Sequence, residues 1–446
     1  MKTQKFFLPS SASVISTLVF LLALLISFPV SAQGTDDEIF NEDDLFSDIE
    51  TVVAAEDMTD ESVAAETDKP DISLSGSLYN RNHYSTRRDD YILKNPFIED
   101  DNIYIGDFTA NILADARYKW GIKAFANADI VYTYGDFDDS DQFLREIFFD
   151  FNVNQAIYFR LGKQYLKWGR NFFWNPSDLI NVEKQDFLDP DKNLEGTRGV
   201  KVHIPFGTKY NIYGFVNLEE AGTIEDVAWS GKFEFLVGDT EMAFSGWYQK
   251  DFEPVFGYDF STRLFRMDIQ GEMSVSHGEN QDTLLRVIDN SGNVSYTTTR
   301  REDKWVPKAS IGFTKTYDLL DINDRVIIRG EFYYNHGGYS YNVFEDQQGC
   351  LTLLGAGLYE PNHVSRYYAS FFTTIQRFIL SDAVFSLNAI SNLTDGSGIL
   401  YSSFSYNPWY DFYIDLTASF TVGDGRDEYT FPGSDKTFGM EFRYNF

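Results

Sequence analysis

The side chains in this sequence that can act on a solute are acids, bases and amides set at alternating positions of otherwise apolar segments. Glu146 and Asp150 lie in one such segment, Arg160 and Gln164 in the next, and Lys201 in another. Lys232 and Glu234 follow, then Arg266, Asp268 and Glu272, then Arg329 and Glu331, then Asp415, and last Glu441 and Arg443. Every second residue of a β-strand points the same way, so each set shares one face. Rows of acids and bases facing each other across water impose a transverse field that orients polar solutes. Tyr158, Tyr213, Tyr333 and Tyr413 fall on the same face, where they could stack on sugar or aromatic solutes. A second stretch, Asn171-Phe172-Phe173-Trp174-Asn175-Pro176, places three aromatics together in the long connection 169–196. Such a loop either folds inward to form a constriction (Phe172, Phe173, Trp174), packs on a rim, or docks on another surface.

Catalytic and metal chemistry find little support. The chain carries no Gly-x-Ser-x-Gly and no His-Glu-x-x-His, the spacings that would place a nucleophile on a strained turn or two imidazoles on one helix face. His203 falls within a strand, and His83, His277, His336 and His363 fall at strand ends. His336 and His363 flank one loop, as a surface metal pair or as solvated rim residues. The expectation is no enzyme, no metal and no cofactor.

These side chains need strands to hold them, and the sequence supplies strands. Phe265 to Ser276 alternates strictly, with Phe265, Met267, Ile269, Met273 and Val275 opposed by Arg266, Asp268, Gln270, Glu272 and Ser274. Val326–Asn335, Asp411–Phe420 and Phe438–Phe446 repeat the pattern. A soluble sandwich buries its apolar face and a membrane barrel turns it outward to lipid, and alternation alone does not separate the two. Two other features do. Lys2 and Lys5 precede the apolar run Val14–Phe28, and Val30-Ser31-Ala32 fits a cleavage site, so residues 1–32 read as a signal peptide. The segment Phe438–Phe446 resembles the closing strand of bacterial outer-membrane barrels, which implies that Tyr444 and Phe446 belong to the signal read by the barrel assembly machinery. Between these ends, Gln33–Pro70 holds fourteen acids and one base, Lys69, too little apolar surface to offset the entropy of ordering. We expect a disordered acidic periplasmic tail over 33–70. Its Ile39-Phe40 and Leu45-Phe46 are either a docking motif for a periplasmic partner or residual hydrophobes.

From Asp71 onward the connections take turns. Short ones occur near Trp120, Asn154, Gly207, Gly238, Arg263, Leu320, Asp382 and Trp409. Longer ones occur at 82–102, 135–140, 169–196, 219–225, 251–255, 278–303, 337–362, 395–398 and 423–435. This is the asymmetry of tight periplasmic turns and larger outer loops. The expected fold is all-β, a transmembrane antiparallel β-barrel over residues 71–446 with about 18 strands, 16 being the rival count; Phe256–Ser261 is its weakest strand. One hairpin sets a register. With its turn at Gln155, Asp150 faces Arg160 and Glu146 faces Gln164, leaving Ile147, Phe149, Phe159 and Leu161 to lipid. Lys163 then points outward, so it either snorkels or is re-aimed by a bulge.

Composition agrees. The formal charge is -31, from 68 acids and 37 bases, which argues against nucleic acid as a partner. Aromatics make up 17% of a chain with mean hydropathy -0.31, a pairing that suits a barrel in which alternate residues meet lipid. The single cysteine, Cys350, permits no internal disulfide.

Residues Phe159–Gly207 combine a strand ending in Gly162-Lys163-Gln164, then Trp168-Gly169, an Asn175-Pro176-x-Asp178 turn and a return strand at Gly199-Val200-Lys201. This stretch resembles the alginate-export-like outer-membrane barrels and their porin-like relatives of unknown function. The resemblance implies a large porin-like barrel. Alginate exporters are expected to have a strongly basic channel, whereas inward bases here are matched by inward acids, which argues against a polyanion. The reading is a porin-like channel for small polar solutes in the bacterial outer membrane. Its rivals are a plugged barrel whose outer loops bind a ligand or surface partner, and a barrel enzyme. The partners expected are outer-membrane lipid, the assembly machinery and a small polar solute.

Overall fold

The computed structural model describes residues 71–446 except 95–101, 119–120, 136–138, 181–186, 189–193, 220, 293 and 321. The signal peptide and acidic tail expected over 1–70 lie outside the described residues. The first strands are β1 (Asp71–Arg87), β2 (Ile103–Tyr118), β3 (Ile122–Gly135), β4 (Asp139–Val153), β5 (Ile157–Gln164), β6 (Thr197–Phe206) and β7 (Tyr210–Asn217). They are followed by β8 (Ala228–Val237), β9 (Thr240–Tyr248), β10 (Val255–Leu264) and β11 (Met267–His277). A separate hairpin, β12 (Thr283–Ile288) with β13 (Val294–Thr299), precedes β14 (Trp305–Leu319), β15 (Ile322–Asn335) and β16 (Tyr367–Gln376). The chain finishes with β17 (Ala383–Asn392), β18 (Gly398–Trp409), β19 (Phe412–Val422) and β20 (Ser434–Asn445).

All strands but β12 and β13 form one 18-stranded sheet, each paired antiparallel with its neighbours in sequence. The sheet closes on itself, because β1 pairs with both β2 and β20. Closure leaves no unpaired edge, a requirement for a sheet that crosses a bilayer. The outward face is the lipid face. Phe233, Phe244, Ile311, Phe332, Phe371, Leu400, Leu416 and Met440 all stand exposed on it. Aromatics ring both ends. Tyr104, Tyr132, Trp229, Tyr248, Trp305 and Tyr367 are exposed beside the long loops, and Tyr118, Tyr210, Tyr317, Trp409 and Tyr444 beside the short turns. Amphipathic rings at two levels mark the two water–membrane interfaces.

The expected short turns and long loops alternate as read. β10 is a full ten-residue strand, longer than the Phe256–Ser261 segment read from sequence. One site residue is corrected. Arg266 is not on a strand face: Phe265 and Arg266 have φ of 53° and 58°, the left-handed pair demanded by a two-residue hairpin turn. The alternation of β11 runs on through that turn in the sequence, which is why periodicity placed Arg266 on the wall.

The long loops pack on one another. Residues 336–366 carry a helix, α1 (Gln347–Gly355), capped by Asp346, whose carboxylate accepts the N–H of Gln348 and Gly349 at 3.0 and 3.3 Å. Cys350 and Leu353 of α1 are buried with Leu284, Tyr339, Phe344 and Phe431, which joins the loops before β14, β16 and β20 in one apolar cluster.

Candidate functional site

The inward face of the barrel carries the charged rows, and residues 165–177 of the loop after β5 fold against it. Strand alternation places Glu272 (β11), Ser310 (β14) and Glu331 (β15) on adjacent strands, with Glu272 opposite Ser310 and Glu331 opposite Gly312. Glu272 accepts the backbone N–H of Arg170 and Asn171 at 2.5 and 2.7 Å, and the N–H and hydroxyl of Ser177 at 3.2 and 2.7 Å. Glu331 accepts the N–H of Phe172, Phe173 and Trp174 at 2.5, 3.0 and 3.0 Å. Between them Ser310 accepts from the Asn171 amide at 2.5 Å and donates to the Trp174 carbonyl at 2.9 Å. A loop without secondary structure has backbone donors to satisfy when buried, and two carboxylates fulfil that need here. Gly312 makes the approach possible, since a Cβ there would lie 3.0 Å from Glu331 Cγ and 3.3 Å from Asn171 Oδ1.

The aromatics follow the backbone inward. Trp174 is 0% exposed, stacks on Tyr333 at a 5.6 Å centroid distance and donates its indole N–H to the Asn362 carbonyl at 3.1 Å. Phe173 packs edge-on to Trp174, and Phe172 and Phe173 both meet Phe372 of β16. The three aromatics thus pack on residues of β15 and β16, and Tyr333 is occupied by Trp174.

The other sequence-derived residues sort by partner. Asp150 and Arg160 face each other in the ladder and are joined at 2.7 and 2.9 Å, while Arg160 lies 3.8 Å from the Phe148 ring centroid. The ladder ends at Ile147–Lys163, so Glu146 is not paired across with Gln164 but accepts the Tyr165 N–H at 2.8 Å. Gln164 is buried, with its amide nitrogen on strand carbonyls. Lys163 is buried too, and its ammonium meets Glu195 of the loop that follows β5. Lys201 stands opposite Arg160, 6.0 Å from the Tyr213 ring, and Tyr213 stacks on His203. Arg329 covers the Phe172 ring at 4.7 Å. Asp268 pairs across the turn with Arg263. Glu441 binds Arg81 at 2.6 Å and stands opposite Asp415. Arg443 covers the Tyr413 ring at 4.4 Å, and its Nε has no hydrogen-bond partner. Lys232 reaches the loop by donating to the Trp168 carbonyl at 2.6 Å, and Glu234 by pairing with Arg170 at 3.3 Å.

Arg170, Asp259 and Glu241 were missed in the sequence. Asp259 and Glu241 alternate correctly within β10 and β9, but nothing local marks them as partners of a loop residue about 70 to 90 positions away. His336 accepts or donates at Tyr334, and His363 lies near Pro361; among the described residues no group of His, Cys, Asp and Glu is arranged to hold a metal ion.

With this geometry in hand, the class of fold is clear: an 18-stranded antiparallel barrel of the outer-membrane porin type. A BenF-like porin from Pseudomonas fluorescens Pf-5 is similar in structure, with a TM-score of 0.53 at 11% identity, over 85% of this chain and 99% of that one. Pseudomonas aeruginosa OccK2 (OpdF), solved in complex with glucuronate, is similar at a TM-score of 0.50 and 9% identity, over 84% of this chain and 98% of that one. At such identities the likeness is one of fold. No family model matches the sequence, and no curated protein matches it.

Proposed function

We propose that the protein is a porin-like channel of the bacterial outer membrane that passes small polar solutes. The observation that carries this reading is the inward loop seated on Glu272 and Glu331 inside an 18-stranded barrel. A barrel of this strand number encloses far more than its own side chains fill, and a loop held on the wall narrows the lumen to the scale of a small molecule. Phe172, Phe173 and Trp174 form the constriction in this reading. Paired charges such as Asp150 with Arg160 and Glu441 with Arg81 line the path and orient the solute. Because acids accompany the bases, a kinship with the alginate-export-like barrels, suggested by Phe159–Gly207, would not extend to a polyanionic substrate.

Catalysis has no place in this reading. The buried carboxylates Glu272 and Glu331 are occupied by loop donors, the Ser177 hydroxyl among them. Residues 1–32 direct export, 33–70 serve as an acidic segment with a periplasmic partner, and β20 with Tyr444 and Phe446 is the strand read by the assembly machinery. Proteoliposome swelling tests the function. Vesicles carrying the protein swell in isotonic small sugars or sugar acids and do not swell in large oligosaccharides. A second reading, a plugged barrel with binding loops, is favoured by the apolar cluster that joins the outer loops around α1; no swelling with any solute would support it over the channel.

A further inference from the structure

The inward loop carries a cation into an acidic wall. Arg170 Nε lies 2.5 Å from Asp259 Oδ1, one terminal nitrogen lies 2.5 Å from Glu241 Oε2, and the other 3.3 Å from Glu234 Oε1. Asp259 is 0% exposed, and its second oxygen lies 3.0 Å from Lys232 Nζ, which also donates to the Trp168 carbonyl at 2.6 Å. Two cations therefore meet three carboxylates, a formal sum of -1, and without Arg170 the sum is -2. The acids come from β8, β9 and β10, adjacent strands whose registers fix them on the inward face. The ladders hold their backbone positions together if the arginine leaves. Glu241 is 52% exposed on its side chain, so the cluster opens to water.

We propose that Arg170 is a specificity-determining residue: it halves the net negative charge of an acid cluster built into the β8–β10 wall and so limits the selection of cations on that side of the lumen. This rests on the channel reading. Charge fixed in a low-dielectric wall attracts counter-ions from a distance and sets which sign enters. A purely structural role, seating the loop, would change conductance without changing the preference for one sign of ion.

The test is reversal potential across a planar bilayer under a KCl gradient, for wild type, R170Q, R170K and the triple variant R170Q/E234Q/E241Q. The ratio of cation to anion permeability rises severalfold in R170Q, stays near wild type in R170K, and returns toward wild type in the triple variant. An unchanged ratio in R170Q, or a triple variant that keeps the R170Q ratio, overturns the proposal. Terbium titration in detergent needs no current. In R170Q the freed acids take up Tb³⁺ and its luminescence is sensitised by Tyr213, which stands opposite Lys232, giving a signal above that of wild type and the triple variant; an R170Q signal no greater than that of wild type also overturns the proposal. A wild type that carries no current sinks the channel reading, and the terbium result then decides the role of Arg170.

Discussion

At the scale of single residues, Glu331 holds the inward loop. Its carboxylate satisfies three consecutive backbone donors of a buried loop. Each buried donor left unpaired costs roughly 1–3 kcal/mol, so Glu331→Leu leaves a seated loop about 3 kcal/mol or more less favourable. The loop is expected to lift from the wall instead, which exposes Lys167 and Arg170 to trypsin and raises single-channel conductance. Glu331→Gln keeps an acceptor oxygen and should fall between. Trp174→Ala removes the ring that stacks on Tyr333 while leaving the backbone anchors, so conductance rises with trypsin resistance kept. The sequence showed Glu331 on an inward face and three aromatics in the loop, but not that the one receives the other. Those partners are separated by more than 150 positions, and only the closed barrel brings them together.

At the scale of the element, the β4–β5 hairpin tests the register. Asp150 stands between Lys123 and Arg160 in the ladder. Asp150→Lys places three cations in a row and should lower stability by about 1 kcal/mol, since opposite charges directly across a ladder are worth roughly 0.2–1 kcal/mol and like charges oppose. The exchange variant Asp150→Arg with Arg160→Asp should recover most of it, read as the midpoint of urea unfolding in detergent. This hairpin was legible because both strands alternate cleanly around one tight turn. Arg266 was misplaced because a left-handed two-residue turn does not interrupt a period-two pattern. The hairpin β12–β13 and helix α1 were read only as loop, since each is short and owes its order to the apolar cluster it shares with other loops.

At the scale of the molecule, the outer loops form a cap with a titratable fastener. Glu428, fully buried between β19 and β20, accepts from the Asn362 N–H, the Tyr368 hydroxyl and the Asn392 amide at 2.7–2.8 Å. Burial pushes its carboxyl up to about 8, with nearby Asp395 adding to the rise against those hydrogen bonds. A carboxyl raised in the folded cap and near 4.5 when released favours the closed cap most at low pH. That preference weakens as pH rises from about 4.5 through about 8, by up to tenfold per unit, and changes no further above it. Asp395 and Asp427 are shifted upward too and act in the same direction. Channel closures should therefore become rarer from pH 5 to pH 8, and Glu428→Gln should flatten the dependence. The strand count, the alternation of short and long connections and the polarity of the inner face could all be read from period two, because a barrel repeats one rule along the chain. Loop packing obeys no such rule: the cap emerged only with the structure, and for the loop 169–196 the sequence left inward, rim and docking placements open.

The central claim is that the seated loop narrows an open lumen without sealing it. The most direct measurement is single-channel conductance of the full-length refolded protein in a planar bilayer, beside Trp174→Ala. The account predicts a steady ohmic current in the wild type and a larger one in the variant. A silent wild type, with current in neither protein, would contradict it and leave a barrel closed by its own loops.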